Sequence, residues 1–280
     1  MRQHRLTEHP LSRRRFLVGS IGAASALAPL GWYASLYEPS NLEVIRESVA
    51  IRNLPRELDG MTAVHISDLH LTTVHDVHLR MLEQVQALKP DLIFVTGDFI
   101  DQDYAIAAAV ELFNNLKAPG GIWAVLGNWD HTSGAVGLLI QELASVGVRF
   151  LINESAQLES GLWLVGVDDP ATWRDRLTRA VDNVPSGIPR ILLAHSPDIA
   201  AKVHHTTVDL ILVGHTHGGQ INLPFFNGAS LHRGIVGRYP QGFYQVYGST
   251  MYVNRGIGTT TLPVRIGARP EITHFRLSGA

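Results

Sequence analysis

From about Leu42 onward, short hydrophobic runs alternate with segments in which hydrophobic residues recur every three or four positions. Short apolar runs are typical of buried strands, and the wider spacing is typical of amphipathic helices. We predict strands over 44–51, 61–67, 92–96, 122–126, 162–167, 191–194 and 210–213, with another near residue 150. We predict helices over 76–89, 106–116 and 136–146, and further strands joined by loops over 220–277. This order predicts an α/β fold with two sheets packed face to face and helices outside.

The first 40 residues have the composition of an export signal. Five arginines occur in residues 1–15, and residues 16–37 contain no charge. The sequence Ser-Arg-Arg-Arg-Phe-Leu at 12–17 resembles the twin-arginine motif, which is read by the twin-arginine translocase. A small-residue cleavage site occurs at 24–26, but the apolar run continues beyond it, so we expect an uncleaved membrane anchor. We therefore predict that residues 1–40 are a twin-arginine signal or anchor. They would deliver the protein to the periplasm or the outer face of a bacterial cytoplasmic membrane.

The composition allows one sizeable domain, which we assign to residues 41–280. Of the 280 residues, 45% are hydrophobic, which is enough for a core on both faces of the sheets. The net charge is only −2, so no nucleic-acid binding is expected. The chain has no cysteine, which excludes disulfides and zinc–thiolate sites, but it has 14 histidines. Any metal site must therefore use imidazole and oxygen ligands.

Polar side chains that can bind metal ions follow five of the predicted strands. In chain order they are Asp68 with His70, Asp98, Asn128, His195, and His215 with His217. Asp68 and His70 are two positions apart, so both project to the same side if the extended conformation of their strand continues. Open α/β sheets form binding sites at the ends of their strands, because the loops converge there. Together these residues predict a metal site at one edge of the sheets.

The ligand types favour two divalent cations. Carboxylate and amide oxygens suit hard ions and neutral imidazoles suit transition metals, so the mixture favours Mn, Fe or Zn over Mg or Ca. Two such ions about 3.5 to 4 Å apart can activate a bridging water and stabilise charge on phosphate oxygens. A shared carboxylate is needed to hold two cations so close, and Asp98 is the candidate for that bridge.

At this point the chain resembles the calcineurin-like metallophosphoesterases over about residues 61–277. The matching motifs, in order, are Asp68-Leu69-His70, Gly97-Asp98, Gly127-Asn128, His195 and Gly214-His215-Thr216-His217. The extension of the last motif to Ile221 is closer to the twin-arginine-exported branch of YaeI-type phosphodiesterases. The resemblance implies a four-layer sandwich with two mixed sheets flanked by helices. It also implies one metal held by Asp68, His70, Asp98 and His217, and the other held by Asp98, Asn128, His195 and His215.

One departure from the family concerns the leaving-group step. The superfamily commonly has a histidine directly after the metal-binding asparagine, and this chain has Trp129 there. His131 stands two residues further on, so we take His131 and Asn128 as the candidate catalytic residues. The alternative for His131 is a loop histidine bonded to a neighbour.

Two related branches fit less well. Serine/threonine phosphatases place arginines where this chain has Gln102 and Leu126, and purple acid phosphatases place a tyrosine ligand where it has Asp101. Fewer fixed cations suit a diester, which carries less charge than a monoester. We expect a phosphodiesterase that cleaves a phosphodiester or pyrophosphate bond in a lipid-linked substrate or a sugar nucleotide. The alternatives are a phosphomonoesterase of the same superfamily and a membrane-tethered metal-binding protein without turnover.

Several further residues carry weaker expectations. The sequence Leu-Pro-Phe-Phe at 223–226 follows the last metal motif and is expected near the mouth of the site, facing a membrane. We interpret Arg255 and Arg265 as solvated surface arginines, of which Arg255 is the better candidate for a phosphate contact. His78 is expected to be solvated at a helix start. The sequence Asp168-Asp169-Pro170 is expected to be a helix entry, with a pocket wall as the alternative.

Overall fold

A computed structural model describes residues 28–222 and 237–280. The strands are β1 (Glu43–Ile51), β2 (Thr62–Ile66), β3 (Leu92–Thr96), β4 (Ile122–Val125), β5 (Val148–Phe150), β6 (Glu154–Gln157), β7 (Trp163–Gly166), β8 (Arg190–Leu193), β9 (Leu210–Val213), β10 (Gly242–Val246), β11 (Ser249–Val253) and β12 (Glu271–Gly279). They form one sheet in the order β1-β12-β2-β3-β4-β5 and a second in the order β10-β11-β9-β8-β7-β6. Both sheets are mixed, with parallel strands at their centres and antiparallel pairings such as β12 with β2 and β6 with β7.

Most of the helices cover the outer faces of the two sheets, whereas the short helix that begins at Asn128 lies at the edge where the strands end. The helices are α1 (Asp76–Leu88), α2 (Ile106–Asn114), α3 (Asn128–Thr132), α4 (Val136–Ser145) and α5 (Leu177–Val181). Helix α1 ends where Lys89 adopts a left-handed conformation with φ 48° and Pro90 follows, since neither residue continues a helix. Short 3-10 turns at Pro197–Ala201 and Val203–His205 lie between β8 and β9.

Three apolar layers separate the four layers of structure. Strand β3 shows how the sequence creates them, because all five of its residues are buried. Ile93 and Val95 pack against helices α1, α2 and α4, whereas Phe94 packs between the two sheets. A third apolar layer lies between the second sheet and α5. Parallel strands that are buried on both faces need continuous hydrophobic runs, and for that reason these strands can be predicted from the sequence.

The predicted α/β sandwich of two mixed sheets flanked by helices is confirmed. The elements that the sequence did not predict are the edge strand β6 and the short helices α3 and α5. Residues 1–27, which carry the twin-arginine prediction, and the sequence at 223–226 both lie outside the described residues. Within the described part of the chain, no helix is both long enough and apolar enough to span a bilayer.

Candidate metal centre

The seven predicted ligands come from five loops at the carboxyl ends of parallel strands. Asp68 and His70 follow β2, Asp98 follows β3, Asn128 begins α3 after β4, His195 follows β8, and His215 and His217 follow β9. The first three loops belong to one sheet and the last two belong to the other. Asn128 and His215 are half-buried, and the other five residues are buried. The structure therefore brings all seven residues to one edge of the sandwich.

The backbone at these ligands is not extended. Five of them have positive φ angles in the left-handed region, namely Asp68 (52°), His70 (47°), Asp98 (53°), His215 (71°) and His217 (52°). A left-handed conformation costs a residue with a side chain about 1–2 kcal/mol. The expectation that an extended strand continues through Asp68 and His70 is therefore wrong, because each ligand sits on its own tight turn. Strained backbone concentrated in this way is typical of functional sites.

Glycines allow the loops to interlock. A Cβ atom on Gly127 would lie 2.2 Å from Asp98 Oδ1, and one on Gly97 would lie 2.6 Å from the backbone N of Gly127. A Cβ atom on Gly214 would lie 2.2 Å from Asp68 Oδ2. Each of these glycines precedes a ligand in the sequence. The Gly-ligand pairs seen in the sequence thus have a steric cause, which is the close approach of one ligand loop to the next.

Asp68, His70 and His217 form the first of two ligand groups, in which the donor atoms all lie within 4.8 Å of one another. The two Nε2 atoms of His70 and His217 are 3.1 Å apart, and His217 Nε2 is 3.4 Å from Asp68 Oδ1. His70 Nδ1 lies 2.6 Å from Asp101 Oδ1. If Nδ1 carries the hydrogen and donates to that carboxylate, Nε2 presents its lone pair to the group.

Asp98, His195 and His215 form the second group. His195 Nδ1 lies 2.7 Å from the Thr96 carbonyl oxygen and donates to it, which leaves the Nε2 lone pair facing the group. That atom lies 3.0 Å from His215 Nδ1, 3.0 Å from Asn128 Oδ1 and 3.2 Å from Asp98 Oδ2. When His195 is neutral, its Nε2 lone pair faces the Asn128 and Asp98 oxygens at hydrogen-bond distance, so a proton or a cation must lie between these atoms. A cation can take that position, so these residues fit a metal ion.

Asp98 lies between the two groups. Its Oδ2 atom is 3.2 Å from His195 Nε2 in the second group and 3.5 Å from His70 Nε2 in the first. Its Oδ1 atom accepts a hydrogen bond of 2.8 Å from the backbone N–H of Trp129. The side chain is thereby held with one oxygen facing both groups, which is the arrangement needed for a bridging carboxylate.

The pKa values respond to this crowding. Burial raises the pKa of Asp98, but the positive charge of His195 outweighs burial and lowers the pKa to about 2. Burial lowers the pKa of His195, but the Asp98 carboxylate holds that pKa well above its ordinary value. Burial and the charge of His70 lower the pKa of His217 well below its ordinary value. The site therefore favours positive charge beside Asp98 and a neutral imidazole at His217, as metal ligation requires.

Asp130 joins the loops that carry Asp98 and Asn128. Its carboxylate accepts hydrogen bonds from the backbone N–H groups of Asp98 and Gly127, both at 2.9 Å, and of Phe99 at 2.8 Å. Burial and the Asp98 carboxylate raise the pKa of Asp130 to about 7, while the backbone donors act in the opposite direction. Asp130 is fully buried and acts as a brace between two ligand loops.

Two arginines differ from the sequence interpretation. Arg265 is fully buried and donates to the carbonyl oxygens of Gly258, Ala268, Arg255 and Gly256, and one of its nitrogens is 3.4 Å from His217 Nδ1. Arg255 bonds Glu271 at 2.6 Å and Glu43 at 2.8 Å. The expectation of solvated surface arginines is wrong for both. Their role is to hold the loops behind the metal ligands.

His131 pairs with Asp168. His131 Nε2 lies 2.6 Å from Asp168 Oδ1, with both side chains only slightly exposed. Gly166 of β7 pairs with Leu193 of β8, and Asp168 and His195 each follow that pair by two residues. Asp168 therefore comes beside the second metal group. Of the predicted helix entry Asp168-Asp169-Pro170, Asp169 caps the following turn by accepting from the N–H groups of Ala171 and Thr172, whereas Asp168 bonds His131.

The sequence missed Asp101, Asp130 and Asp168 as supports of the site. From the sequence, Asp101 marks only the position of an absent tyrosine ligand, yet its carboxylate bonds His70 Nδ1 and so orients that ring. His78 was expected to be solvated, but it is buried and bonded through Nε2 to the Leu69 carbonyl at 3.1 Å. The local sequence signal for Asp101 is that it is a second aspartate three residues after Asp98. Since the other contacts join residues far apart in sequence, no local pattern announced them.

A cavity of about 660 Å³ adjoins the first metal group. Its inner wall includes His70 and Asp101, and its outer wall includes Ser35, Leu36 and Pro39 from the segment that precedes β1. Since the metal ligand His70 lines it, a substrate group bound at the metals can extend into this space.

Comparison with known proteins identifies similar chains. A profile described as calcineurin-like phosphoesterase matches residues 61–219. An uncharacterized metallophosphoesterase of Bacillus subtilis (strain 168), YkuE, is 35% identical over 281 residues, covering 95% of this chain and 98% of that protein. Phosphodiesterase YaeI of Escherichia coli (strain K12) is 28% identical and covers 95% of this chain and 99% of that protein. Among solved structures, phosphopantetheinyl hydrolase (PptH) from Mycobacterium tuberculosis aligns with a TM-score of 0.42 and 11% identity over 74% of this chain and 96% of that chain.

Proposed function

Because the chain belongs to the calcineurin-like phosphoesterase family, as its motifs predict, we propose that it is a phosphodiesterase that uses two divalent cations. The observation that carries this proposal is the position of Asp98 between two groups of facing ligand atoms, 3.2 Å from His195 and 3.5 Å from His70. A site for one structural ion would need neither a second group nor a shared carboxylate. The similarity to phosphodiesterase YaeI, which extends over 99% of that protein, supports the choice of a diester.

The ligand set supports Mn, Fe or Zn. When bound, two such cations would lower the pKa of a water molecule and neutralise charge on the phosphate oxygens. The chain's own contribution is to hold the ligands in place: Asp101 orients His70, the Thr96 carbonyl orients His195, and Asp130 braces the loop of Asp98. Partners of this kind set the tautomer and direction of each imidazole before a metal arrives.

The arginines near the site support a diester rather than a monoester. Arg255 and Arg265 lie in the loops beside His217, but Arg255 is paired with Glu43 and Glu271. Arg265 directs its nitrogens at backbone carbonyl groups. Neither guanidinium is free to clamp the second negative charge of a monoester, and a diester lacks that charge.

For the leaving-group step we assign His131, oriented by Asp168. A bond of 2.6 Å to a carboxylate fixes the orientation of the His131 imidazole. Trp129, which lies edge-on to His70 with ring centroids 5.6 Å apart, has no proton to transfer at neutral pH. In this assignment Asn128 holds a cation and the histidine one helical turn later protonates the leaving oxygen.

The test compares diesters that differ in their leaving group. His131→Ala should slow a poor leaving group roughly 100-fold or more and spare a nitrophenyl ester, which needs little protonation. Asp168→Asn should show a smaller loss with the same dependence. Equal losses on both esters would remove His131 from this role without touching the diesterase proposal.

The diesterase proposal has its own test. Asp98→Asn should lose hydrolysis of bis-p-nitrophenyl phosphate and at least part of the bound metal, because one donor shared by two cations is weakened. Retention of two cations and normal turnover by that variant would refute the bridge. A wild-type protein that binds two cations and hydrolyses neither diesters nor monoesters would instead favour a metal-binding protein without turnover.

A further inference from the structure

The helical segment before β1 presents its hydrophobic side chains outward. Residues 28–40 form successive helical turns of three kinds. Leu36 is 63% exposed and Trp32 is 56% exposed, and Leu30, Tyr33 and Tyr37 are also exposed. We call these five residues the aromatic face. Tyr37 stacks on both other aromatic rings, with centroid distances of 5.7 Å to Trp32 and 5.5 Å to Tyr33.

The inward side of the same segment is small or polar. Ala34 is buried and its carbonyl oxygen accepts a hydrogen bond of 2.8 Å from the backbone of Arg265. Glu38 is fully buried and accepts a bond of 2.7 Å from the backbone of Ala268. A helix of a water-soluble domain normally buries its large apolar residues and exposes its charges. Here the pattern is reversed, although the segment is fixed by specific bonds.

The polar groups on the exposed side are satisfied within the segment. The Ser35 hydroxyl donates to the Gly31 carbonyl and the Ser40 hydroxyl donates to the Leu36 carbonyl, both at 2.7 Å. These two hydroxyl groups therefore offer little to water, and the remainder of the exposed side consists mainly of the aromatic rings and leucines of the aromatic face. Large contiguous apolar patches on a soluble surface mark an interaction site.

The geometry points to a lipid bilayer as the partner of the aromatic face. Trp and Tyr are the residues that concentrate at membrane–water interfaces, since each has an apolar ring and a polar tip. The sequence that leads into the face, residues 16–29, carries no charge, and residues 1–15 contain five arginines. A surface for a second protein copy would not need that uncharged approach. We propose that the aromatic face lies in the interfacial layer of a bilayer, with the helix along the surface.

The position of the aromatic face beside the cavity also indicates a substrate class, and this inference rests on the proposed function. The cavity beside His70 is walled by Leu36 on one rim and by Leu262, which is 52% exposed, on another. A bilayer against the aromatic face would bring lipid to that apolar rim. The substrate class that fits is a phosphodiester attached to a lipid, with its phosphate at the metals and its acyl chains toward the membrane.

Tryptophan quenching tests the contact directly, without requiring turnover. The full chain is added to vesicles of phosphatidylethanolamine and phosphatidylglycerol in which part of the lipid carries brominated acyl chains. Trp32 should account for most of the quenching, so Trp32→Phe should abolish most of it. The matched control is Trp173→Phe, because Trp173 is 78% exposed but lies outside the aromatic face, and this change should leave the quenching unaltered.

The outcomes separate the alternatives. If vesicle-bound protein shows no quenching that depends on Trp32, the proposal is wrong even when other residues anchor the chain. If the aromatic face instead buries itself in a protein dimer, sedimentation will show a dimer that Trp32→Ser with Tyr37→Ser disrupts, and quenching will be absent.

Activity provides the second readout. Trp32→Ser with Tyr37→Ser should slow hydrolysis of a vesicle-borne lipid diester about tenfold and spare a soluble diester. Trp173→Ser with Tyr104→Ser, two exposed aromatics elsewhere, should slow neither. If Trp32→Ser with Tyr37→Ser retains the same fraction of the wild-type rate on both substrates, the inference that the aromatic face serves a lipid-linked substrate is wrong. If the wild-type protein hydrolyses no diester at all, the proposed function is wrong, whereas the quenching result still tests the membrane contact.

Discussion

Adding a single methyl group at Gly127 should disable the metal centre. Gly127 has φ −111° and ψ 177°, which alanine adopts freely, so Gly127→Ala introduces no backbone strain. The new Cβ atom would lie 2.2 Å from Asp98 Oδ1 and 2.5 Å from the Asp98 backbone N. Asp98 is the carboxylate between the two ligand groups, so the clash falls on the side chain that is proposed to bridge the two cations.

The size of the effect follows from these distances. Relief of the contact with Oδ1 requires a displacement of roughly 1 Å to reach ordinary van der Waals distance. Metal–ligand distances tolerate only about 0.2 Å, so a shift of that size breaks coordination. We expect a loss of roughly 100-fold or more in diester hydrolysis. Overpacking of this kind costs about 1–3 kcal/mol of folding free energy, so the chain should still fold.

The assay combines three measurements on purified protein: bound metal by elemental analysis, hydrolysis of bis-p-nitrophenyl phosphate, and thermal unfolding. Gly137→Ala is the matched control, because Gly137 lies in α4 and a Cβ there meets nothing within 4 Å. That variant should keep both metals and full activity. If Gly127→Ala also binds two cations and turns over at the wild-type rate, close packing of the ligand loops does not determine where Asp98 lies.

Three further predictions concern Asp101, His65 and the arginines at 13–15. Asp101→Asn should weaken metal binding about 10–100-fold in a calorimetric titration, because the partner that orients His70 is weakened. Burial lowers the pKa of His65 to about 3; the unfolded chain therefore takes up that proton first, so the free energy of unfolding should fall from pH 6.5 toward pH 3. His65 should contribute about 1.4 kcal/mol per pH unit to this slope in urea unfolding of metal-free protein, and the slope should be smaller by about that amount in His65→Gln. Replacing Arg13, Arg14 and Arg15 by Lys keeps the charge but should leave folded enzyme inside the cell on fractionation, because a receptor reads the arginines.

The sequence was most informative where both faces of a strand are buried. Strands β3 and β9 were predicted at their observed bounds, because a run such as Leu210–Val213 can only be satisfied inside the protein. Strand β6, with the sequence Glu-Ser-Ala-Gln, has exposed ends and no apolar pattern, so its pairing with β7 depends on tertiary context. The same limit hid the return of β12 to the first sheet between β1 and β2, since register between distant strands leaves no local pattern.

The ligands were predictable for a different reason than the one first assumed. Alternation along an extended strand does not unite Asp68 and His70, because both have left-handed backbone. The sequence did contain metal-binding residue types at the ends of the predicted strands, and a glycine stands beside three of the five ligand motifs. The supports were hidden, because Asp130 and Arg265 act across loops and through backbone groups. A buried arginine looks the same in sequence as a solvated one.

The left-handed turns and the facing ligand atoms have one common cause. In the proposed two-cation site, the loops that carry Asp68, Asp98 and His215 turn back sharply at their ligands, which costs about 1 kcal/mol or more at each of five residues. Without a cation, a proton on His195 Nε2 compensates the Asp98 carboxylate 3.2 Å away, and a metal ion would take the place of that proton. The fold accepts the cost of the turns because buried sheets and braces such as Asp130 hold the loops from behind. The site is therefore preorganised for metal rather than formed by it, and binding energy need not be used to assemble the ligands.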